Sequence, residues 1–370
     1  MTRRRGFLLS GCEVTVVSPA GGGAVDVRQA ARRAVTDPHG PPLAERVAPD
    51  DDVALVVTDV TRATPDGVLL DVLLSELAAA GLDREQVAVV VGLGLHRPMT
   101  DAELREALGG HADLAVNHDP DATVPVGTVE GCRIDLFEAV AAADAVLSTG
   151  MVEPMLAREG VRLGRINDNP FRAFVDQAGD LAGLDFCLSV THGPAGILDA
   201  SAGDPRAVVA DLAATAREAL SVEVAEGYDA VLGGVGAPKD ANLYQATRAA
   251  TYLVLGAHNP LRQGGRVVIP ARLPEGAGEG TGERRFHEWL STAESARILY
   301  EEMRDGYEPG AQRAFVVARA LLDHDVWVTN SQHPEVVEEC LMHAAPAIED
   351  AVEPGSDVLV VPDALNTLLV

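Results

Sequence analysis

Two short segments carry the residues best suited to chemistry. The first is Asp59-Val60-Thr61-Arg62-Ala63-Thr64-Pro65, which sets a carboxylate, a hydroxyl and a guanidinium directly after an apolar run at 53–58. Where a strand gives way to a helix, outward-pointing N–H groups favour an anion. Arg62 adds a planar fork matched to a carboxylate or phosphate, and Asp59 can orient that fork or hydrogen-bond a substrate hydroxyl. The bland reading of the same spacing is an Asp59–Arg62 pair that closes the loop and binds nothing.

The second segment, Gly92-Leu93-Gly94-Leu95-His96-Arg97-Pro98-Met99-Thr100, follows the apolar run 87–91. Its glycines let the chain turn tightly and present His96 and Arg97 beside the first segment. As a dinucleotide fingerprint it fails, because Arg97 stands where GxGxxG needs its third glycine. Imidazole titrates near neutral pH and suits proton transfer, and Arg97 supplies a second positive charge for an anion. His96 is therefore the candidate proton carrier, with Asp59 and Arg62 beside it in the catalytic corner; the bland reading is a structural loop histidine.

A third segment runs from Gly233 to Arg248 and contains Lys239, Asp240, Asn242, Tyr244 and Gln245. Asp240 is expected to cap the following helix, on which Gln245 and Arg248, three apart, share a face. That face reads either as a substrate-binding surface, with Lys239 and Tyr244 beside it, or as a polar solvent face. His192, in Ser189-Val190-Thr191-His192-Gly193-Pro194, is a second proton carrier or part of a surface turn. Glu153, if buried, offers another acid–base group. No metal set assembles: His111 with His118 and His324 with His333 lack ligand spacing and read as exposed.

These segments need a frame that brings strand ends together. Short β-branched runs at 53–58, 87–91, 144–148, 185–190, 229–232, 266–269, 325–329 and 357–361 alternate with Ala/Leu-rich stretches of helical period. That alternation predicts an α/β protein with mainly parallel sheets covered by helices. Thr64 before Pro65 predicts a helix start, Gly81 its end, and Thr100 with Glu103 a capping box. A long helix near 204–220 gives way to a fresh strand-loop-helix series, so two α/β domains are expected, 1–222 and 223–370. The acidic, glycine-rich stretch 274–283 is the one segment expected to be mobile.

Composition limits the partners. The chain has 370 residues, 47% of them hydrophobic, enough for two cores, and a formal charge of −27 that repels nucleic acid and anionic membranes. Cys12, Cys132, Cys187 and Cys340 form no CxxC pair and read as buried thiols of a reducing compartment. The apolar run after Arg3-Arg4-Arg5 is too short for a secretory segment, and a soluble, cytoplasmic location is expected. A small anionic substrate is the expected partner, with self-association left open.

In this order, Asp59-x-Thr61-Arg62-x-x-Pro65, Gly94-x-His96-Arg97-Pro98-x-Thr100 and Pro238-Lys239-Asp240-x-Asn242-x-Tyr244-Gln245-x-x-Arg248 resemble the nickel-dependent lactate racemase family. The likeness extends through Glu153-Pro154, Ala202-Gly203-Asp204, Ala318-Arg319 and Val361-Pro362-Asp363. It implies two α/β domains with the active site in the cleft between them. It implies an isomerase, a racemase or epimerase of 2-hydroxy acids, working through a nickel-pincer nucleotide. By resemblance His96 matches one of two paired catalytic histidines and Asp59 and Arg62 the substrate corner. Gln245 and Arg248 fall where the family has a glutamine and a basic residue near the substrate.

The departures lie between Met151 and Asn169. Where the family pattern has Glu-x-His, then a glycine-rich stretch with a lysine, then a further histidine, this chain reads Glu153-Pro154-Met155 and passes directly to Gly164-Arg165-Ile166-Asn167. By resemblance the second catalytic histidine, the tethering lysine and the nickel-binding histidine are all missing. Lys239 is the single lysine of the chain and lies in a different motif. No metal ligand is assigned, and acid–base isomerase or lyase chemistry without the pincer, or a non-catalytic binding role, stands beside the racemase reading.

Overall fold

Val53-Ala54-Leu55-Val56-Val57 is apolar at every position, the pattern of a strand covered on both faces. In the computed structural model, which describes residues 2–3, 9, 11–94, 96–152 and 163–370, this segment is a central strand, Val53–Val57. Val53, Leu55 and Val57 pack under Leu69, Leu70, Leu73 and Leu77 of the helix Asp66–Ala79. Ala54 faces the other way, into a cluster with Val90, Phe137, Val140 and Val146. Losing one of those fully buried leucines to alanine costs roughly 2–5 kcal/mol.

The sheet around that strand has six members in the order Gly196–Gly203, Leu184–Gly193, Ala145–Val152, Val53–Val57, Val87–Val91 and Ala115–Asn117. All neighbours are parallel except the first two. A second sheet of seven strands has Tyr228–Gly233 near its middle, flanked by Asp357–Val361 and Leu261–Pro270, and is also parallel apart from Thr2–Arg3 at its edge. Both sheets are flanked by helices, so the α/β class with mainly parallel strands is the observed one.

Of the described residues, those within Gly21–Glu153 and Ile166–Ala219 form one compact unit, and those within Met1–Ala20, Pro154–Arg165 and Leu220–Val370 the other. The compact unit and the span 1–222 expected for the N-terminal domain differ at the start of the chain. Glu13–Val16 pairs in parallel with Asp357–Val361, and Val14 joins the core of Ala230, Val268 and Val358. Strand pairing across the whole chain outweighs sequence proximity.

Several local expectations change in the same way. The strands at 144–148, 185–190 and 266–269 are longer, at Ala145–Val152, Leu184–Gly193 and Leu261–Pro270. Gly196–Gly203, too rich in glycine and alanine to read as a strand, becomes one by antiparallel pairing with Leu184–Gly193. Thr100 and Glu103 form the capping box, but the earlier helix starts at Asp66 with Pro65 as its cap, and the Thr64 hydroxyl is buried without a hydrogen bond. Asn242, not Asp240, caps the helix Leu243–Ala246. The stretch 274–283 is pinned: Leu243 N donates to Gly276 O, and the Asn242 amide donates to Glu275 and Glu283, both at 3.1 Å.

Two further readings are corrected. Cys187 and Cys340 are buried, and burial pushes both thiols up to about 12, but Cys132 is exposed and Cys12 partly so. His324 is buried, not exposed, between Gly265 O at 3.0 Å and the Asn259 amide at 2.9 Å. Among the described residues no helix is long and apolar enough to cross a membrane.

Candidate active site

Parallel pairing sets Val57 level with Val91, so the chain leaves both strands on the same carboxyl edge, the edge where sites form in such sheets. After Val57, Asp59 folds its side chain back on its own loop. Its Oδ1 accepts from the Thr61 amide at 2.9 Å and the Thr61 hydroxyl at 2.6 Å, while Arg62 N closes the turn onto Asp59 O. After Val91 the chain passes Gly94 in the left-handed region, φ 57°, where a side chain is strained, and His96 N closes onto Leu93 O. These two turns aim Asp59 and His96 at each other.

The result is a short contact, His96 Nδ1 to Asp59 Oδ2 at 2.5 Å, with the Thr61 hydroxyl 3.4 Å from the same ring nitrogen. Asp59 is 6% exposed. Burial pushes its carboxyl up, but the hydrogen bonds from His96 and Thr61, and the charge His96 carries when protonated, outweigh it and hold the group below the ordinary carboxylate value. An ionised Asp59 only accepts, so the proton of neutral His96 sits on Nδ1 and the lone pair on Nε2. The His96 side chain is half exposed, and among the described residues Nε2 has no hydrogen-bond partner. A ring fixed by a carboxylate at one nitrogen and open at the other is an oriented general base.

Behind this pair lies a second carboxyl that sequence reasoning passed over. Asp66, 3% exposed, accepts from the Thr58 hydroxyl at 2.6 Å and from the Thr149 hydroxyl at 2.5 Å. Burial pushes it up to about 6, the two hydroxyls hold it back, and the charge of Asp59 adds to the rise. An acidic residue in a first helical turn ordinarily reads as an exposed dipole partner. Only the strand Ala145–Val152, which places Thr149 against it, turns it into a buried group.

The other residues singled out from sequence divide. His192, at the end of Leu184–Gly193, joins the corner, with Nε2 donating to Ala63 O at 3.0 Å. Arg62 is half-buried within the same loop. Arg97 turns away: its exposed guanidinium holds both oxygens of Glu103, at 2.9 and 2.6 Å, and the carbonyl of Pro98. Glu153 and Met155 lie outside the described residues.

In the C-terminal unit, Gly234 lets the strand Tyr228–Gly233 run close to the chain after Asp357–Val361. A Cβ there would stand 2.0 Å from Pro362 O. The loop that follows carries the half-buried Lys239 and leads to Leu243–Ala246 and Arg248–Val254. Tyr244 packs edge-on against Phe286 with centroids 5.6 Å apart. Gln245 Oε1 and Arg248 Nε are buried without a hydrogen-bond partner.

Residues 12–157 match the lactate racemase N-terminal domain and residues 225–368 the lactate racemase C-terminal domain. The chain belongs to the lactate racemase family. A search of curated proteins returned no match. Among solved structures, the lactate racemase apoprotein from Thermoanaerobacterium thermosaccharolyticum superposes with a TM-score of 0.82 at 21% identity, covering 98% of this chain and 95% of that one. A structural-genomics protein from Thermotoga maritima gives 0.67 at 14% identity, covering 93% and 97%. At these identities the two structures speak to fold.

The resemblance to this family brings a lysine-tethered nickel-pincer nucleotide into question, and the residues present do not fit it. Lys239, the chain's single lysine, lies in a loop of the C-terminal unit, and Met155 stands where the lactate racemase pattern has its second histidine. Among the described residues no group of three or more His, Cys, Asp or Glu is placed to hold a metal ion.

Proposed function

We propose that this lactate racemase family protein is an isomerase of the racemase or epimerase type, acting on a small 2-hydroxy acid or related carboxylate by proton transfer. The observation that carries the reading is the 2.5 Å contact from Asp59 Oδ2 to His96 Nδ1, which leaves Nε2 as the open base. His96 takes a proton from the substrate at Nε2, and the imidazolium that forms is stabilised by the Asp59 carboxylate it already touches. Thr61 fixes that carboxylate through two hydrogen bonds. Arg62 is the residue of this loop suited to a substrate carboxylate, and His192, anchored on Ala63, is the second candidate proton carrier. A lyase would use the same base.

The test is incubation of single enantiomers of a 2-hydroxy acid panel in deuterium oxide, followed by polarimetry and mass spectrometry. Loss of rotation with deuterium entering the α-carbon is the expected outcome. Loss of rotation with the original hydrogen retained contradicts proton transfer, and no turnover across the panel contradicts the enzyme reading. Metal analysis and intact mass of protein from a nickel-replete host are expected to show no nickel and no adduct on Lys239; either one overturns the cofactor-independent chemistry.

A further inference from the structure

Two arginines of the C-terminal unit, Arg248 and Arg313, place guanidinium nitrogens in the interior with no carboxylate at ion-pair distance among the described residues. Arg313, in the helix Gln312–Leu321, is 7% exposed, and its NH1 donates to Thr251 Oγ1 at 3.0 Å. Thr251 is an acceptor there, since its own hydroxyl bonds back to Arg248 O at 3.1 Å or Thr247 O at 3.4 Å. The Arg313 guanidinium carbon lies 6.0 Å from the Tyr244 ring centroid. Arg248 begins the helix that contains Thr251, and its Nε is buried without a partner. Burial and then the neighbouring charge of Arg248 push Arg313 down to about 10, and the opposing influences come from the phenols of Tyr252 and Tyr244.

This arrangement is costly in the protein as it stands. The chain has 56 acidic residues against 29 basic ones, and several arginines elsewhere take carboxylates, as Arg97, Arg206, Arg262 and Arg266 do. Among the described residues neither Arg248 nor Arg313 has an Asp or Glu within ion-pair distance. The buried Arg313 guanidinium, which feels the like charge of the half-buried Arg248, lacks the anion that ordinarily offsets desolvation. Gln245 Oε1, one turn before Arg248 and also buried without a partner, lacks a donor. The missing groups are negative charge and a hydroxyl.

We propose that Arg248 and Arg313 form a two-guanidinium site for a dianion, so that the ligand of this unit is a hydroxy compound bearing two negative charges, a dicarboxylate or a phosphate ester, and not a monocarboxylate. A single carboxylate neutralises one guanidinium and leaves the other buried with its charge. A dianion answers both, and a hydroxyl on it satisfies Gln245. The proposal rests on the 2-hydroxy-acid reading only for calling this ligand the substrate; the site itself is tested by binding.

The experiment is calorimetry and thermal unfolding of the full chain at fixed ionic strength with malate, glycerol 3-phosphate, lactate and chloride. A dianion is expected to bind about ten-fold or more tighter than lactate, one charged hydrogen bond's worth, and to raise Tm where chloride does not. Malate alone doing so identifies a dicarboxylate site, and glycerol 3-phosphate alone a phosphate site. Arg313→Met is expected to abolish the preference for the dianion. Should that variant fail to fold, Arg248→Met, at a half-buried position, gives the same readout. Equal affinity for dianions and lactate, or a preference that survives the substitution, overturns the site. Binding of malate without turnover counts against the isomerase reading and leaves the site standing.

Discussion

The Asp59–His96 corner and the Arg248–Arg313 face are both polar and both sit near strand or loop ends, yet they differ in how complete they are. In the corner both carboxyls are answered. Asp59 takes two bonds from Thr61 and one from His96, and Asp66 takes one each from Thr58 and Thr149. On the arginine face Gln245 Oε1 and Arg248 Nε are buried without a partner, and Arg313 has only a neutral hydroxyl. A site whose polar groups satisfy each other is organised before substrate arrives, which suits proton transfer. A site whose groups do not is completed by its ligand.

Removing the open base should have the largest effect. His96→Ala is expected to lower turnover by roughly two to four orders of magnitude while ligand affinity, read by calorimetry, stays near that of the wild type. Undiminished turnover would place the chemistry elsewhere, and undiminished biological effect without turnover would favour a binding protein. Asp59→Asn keeps the shape but removes the charge that stabilises imidazolium. A fall in kcat of up to roughly four orders of magnitude is expected, comparable to His96→Ala, because the amide can donate to Nδ1 and move the ring proton to Nε2. A loss of less than about ten-fold would mean that the Asp59 contact does not set the tautomer of His96.

The two carboxyls of the corner predict opposite pH behaviour. Asp59 is depressed, so its contribution to stability is present above the ordinary carboxylate range and is lost as pH falls through its folded value. Asp66 is raised from 3.8 to about 6. The folded state then binds its proton more tightly than the unfolded state, and stability falls as pH rises between those values. Asp66→Asn should therefore gain stability at pH 8 relative to pH 4.5, by on the order of 2 kcal/mol, measured by denaturant unfolding at both pH values. A difference between variant and wild type that does not change with pH would mean Asp66 is not a buried, proton-holding group.

These residues also mark how far the sequence could be read. Val53–Val57 and Val87–Val91 were legible because continuous apolar runs leave little alternative, and the strand ends then pointed to Asp59 and His96. Glu13–Val16 was grouped with the N-terminal domain because its partner, Asp357–Val361, lies at the far end of the chain, and no local pattern carries that information. Asp66 and Arg313 were missed for a related reason. Each is a charged residue on a helix, where a solvated position is the ordinary expectation, and burial by Thr149 or under Tyr244 and Thr251 arises only from tertiary packing. Chemistry displayed at a strand end can be read from the chain; chemistry made by burial cannot.

Arg97 tests the same distinction from the other side. Its sequence neighbourhood, next to His96, suggests an anion ligand, while its geometry gives it to Glu103. The pairing holds Glu103 down at about 2 and raises Arg97, so both stay charged across the working range. The Arg97 side chain is nonetheless open to water, where ion pairs are screened and weak. Arg97→Ala is therefore expected to leave substrate affinity within about two-fold, because an exposed paired arginine contributes little, and to change Tm only slightly at low salt and less at high salt. Should KM rise ten-fold or more with Tm unchanged, Arg97 leaves Glu103 when substrate binds, and the corner is then built from adjacent residues of one loop after all.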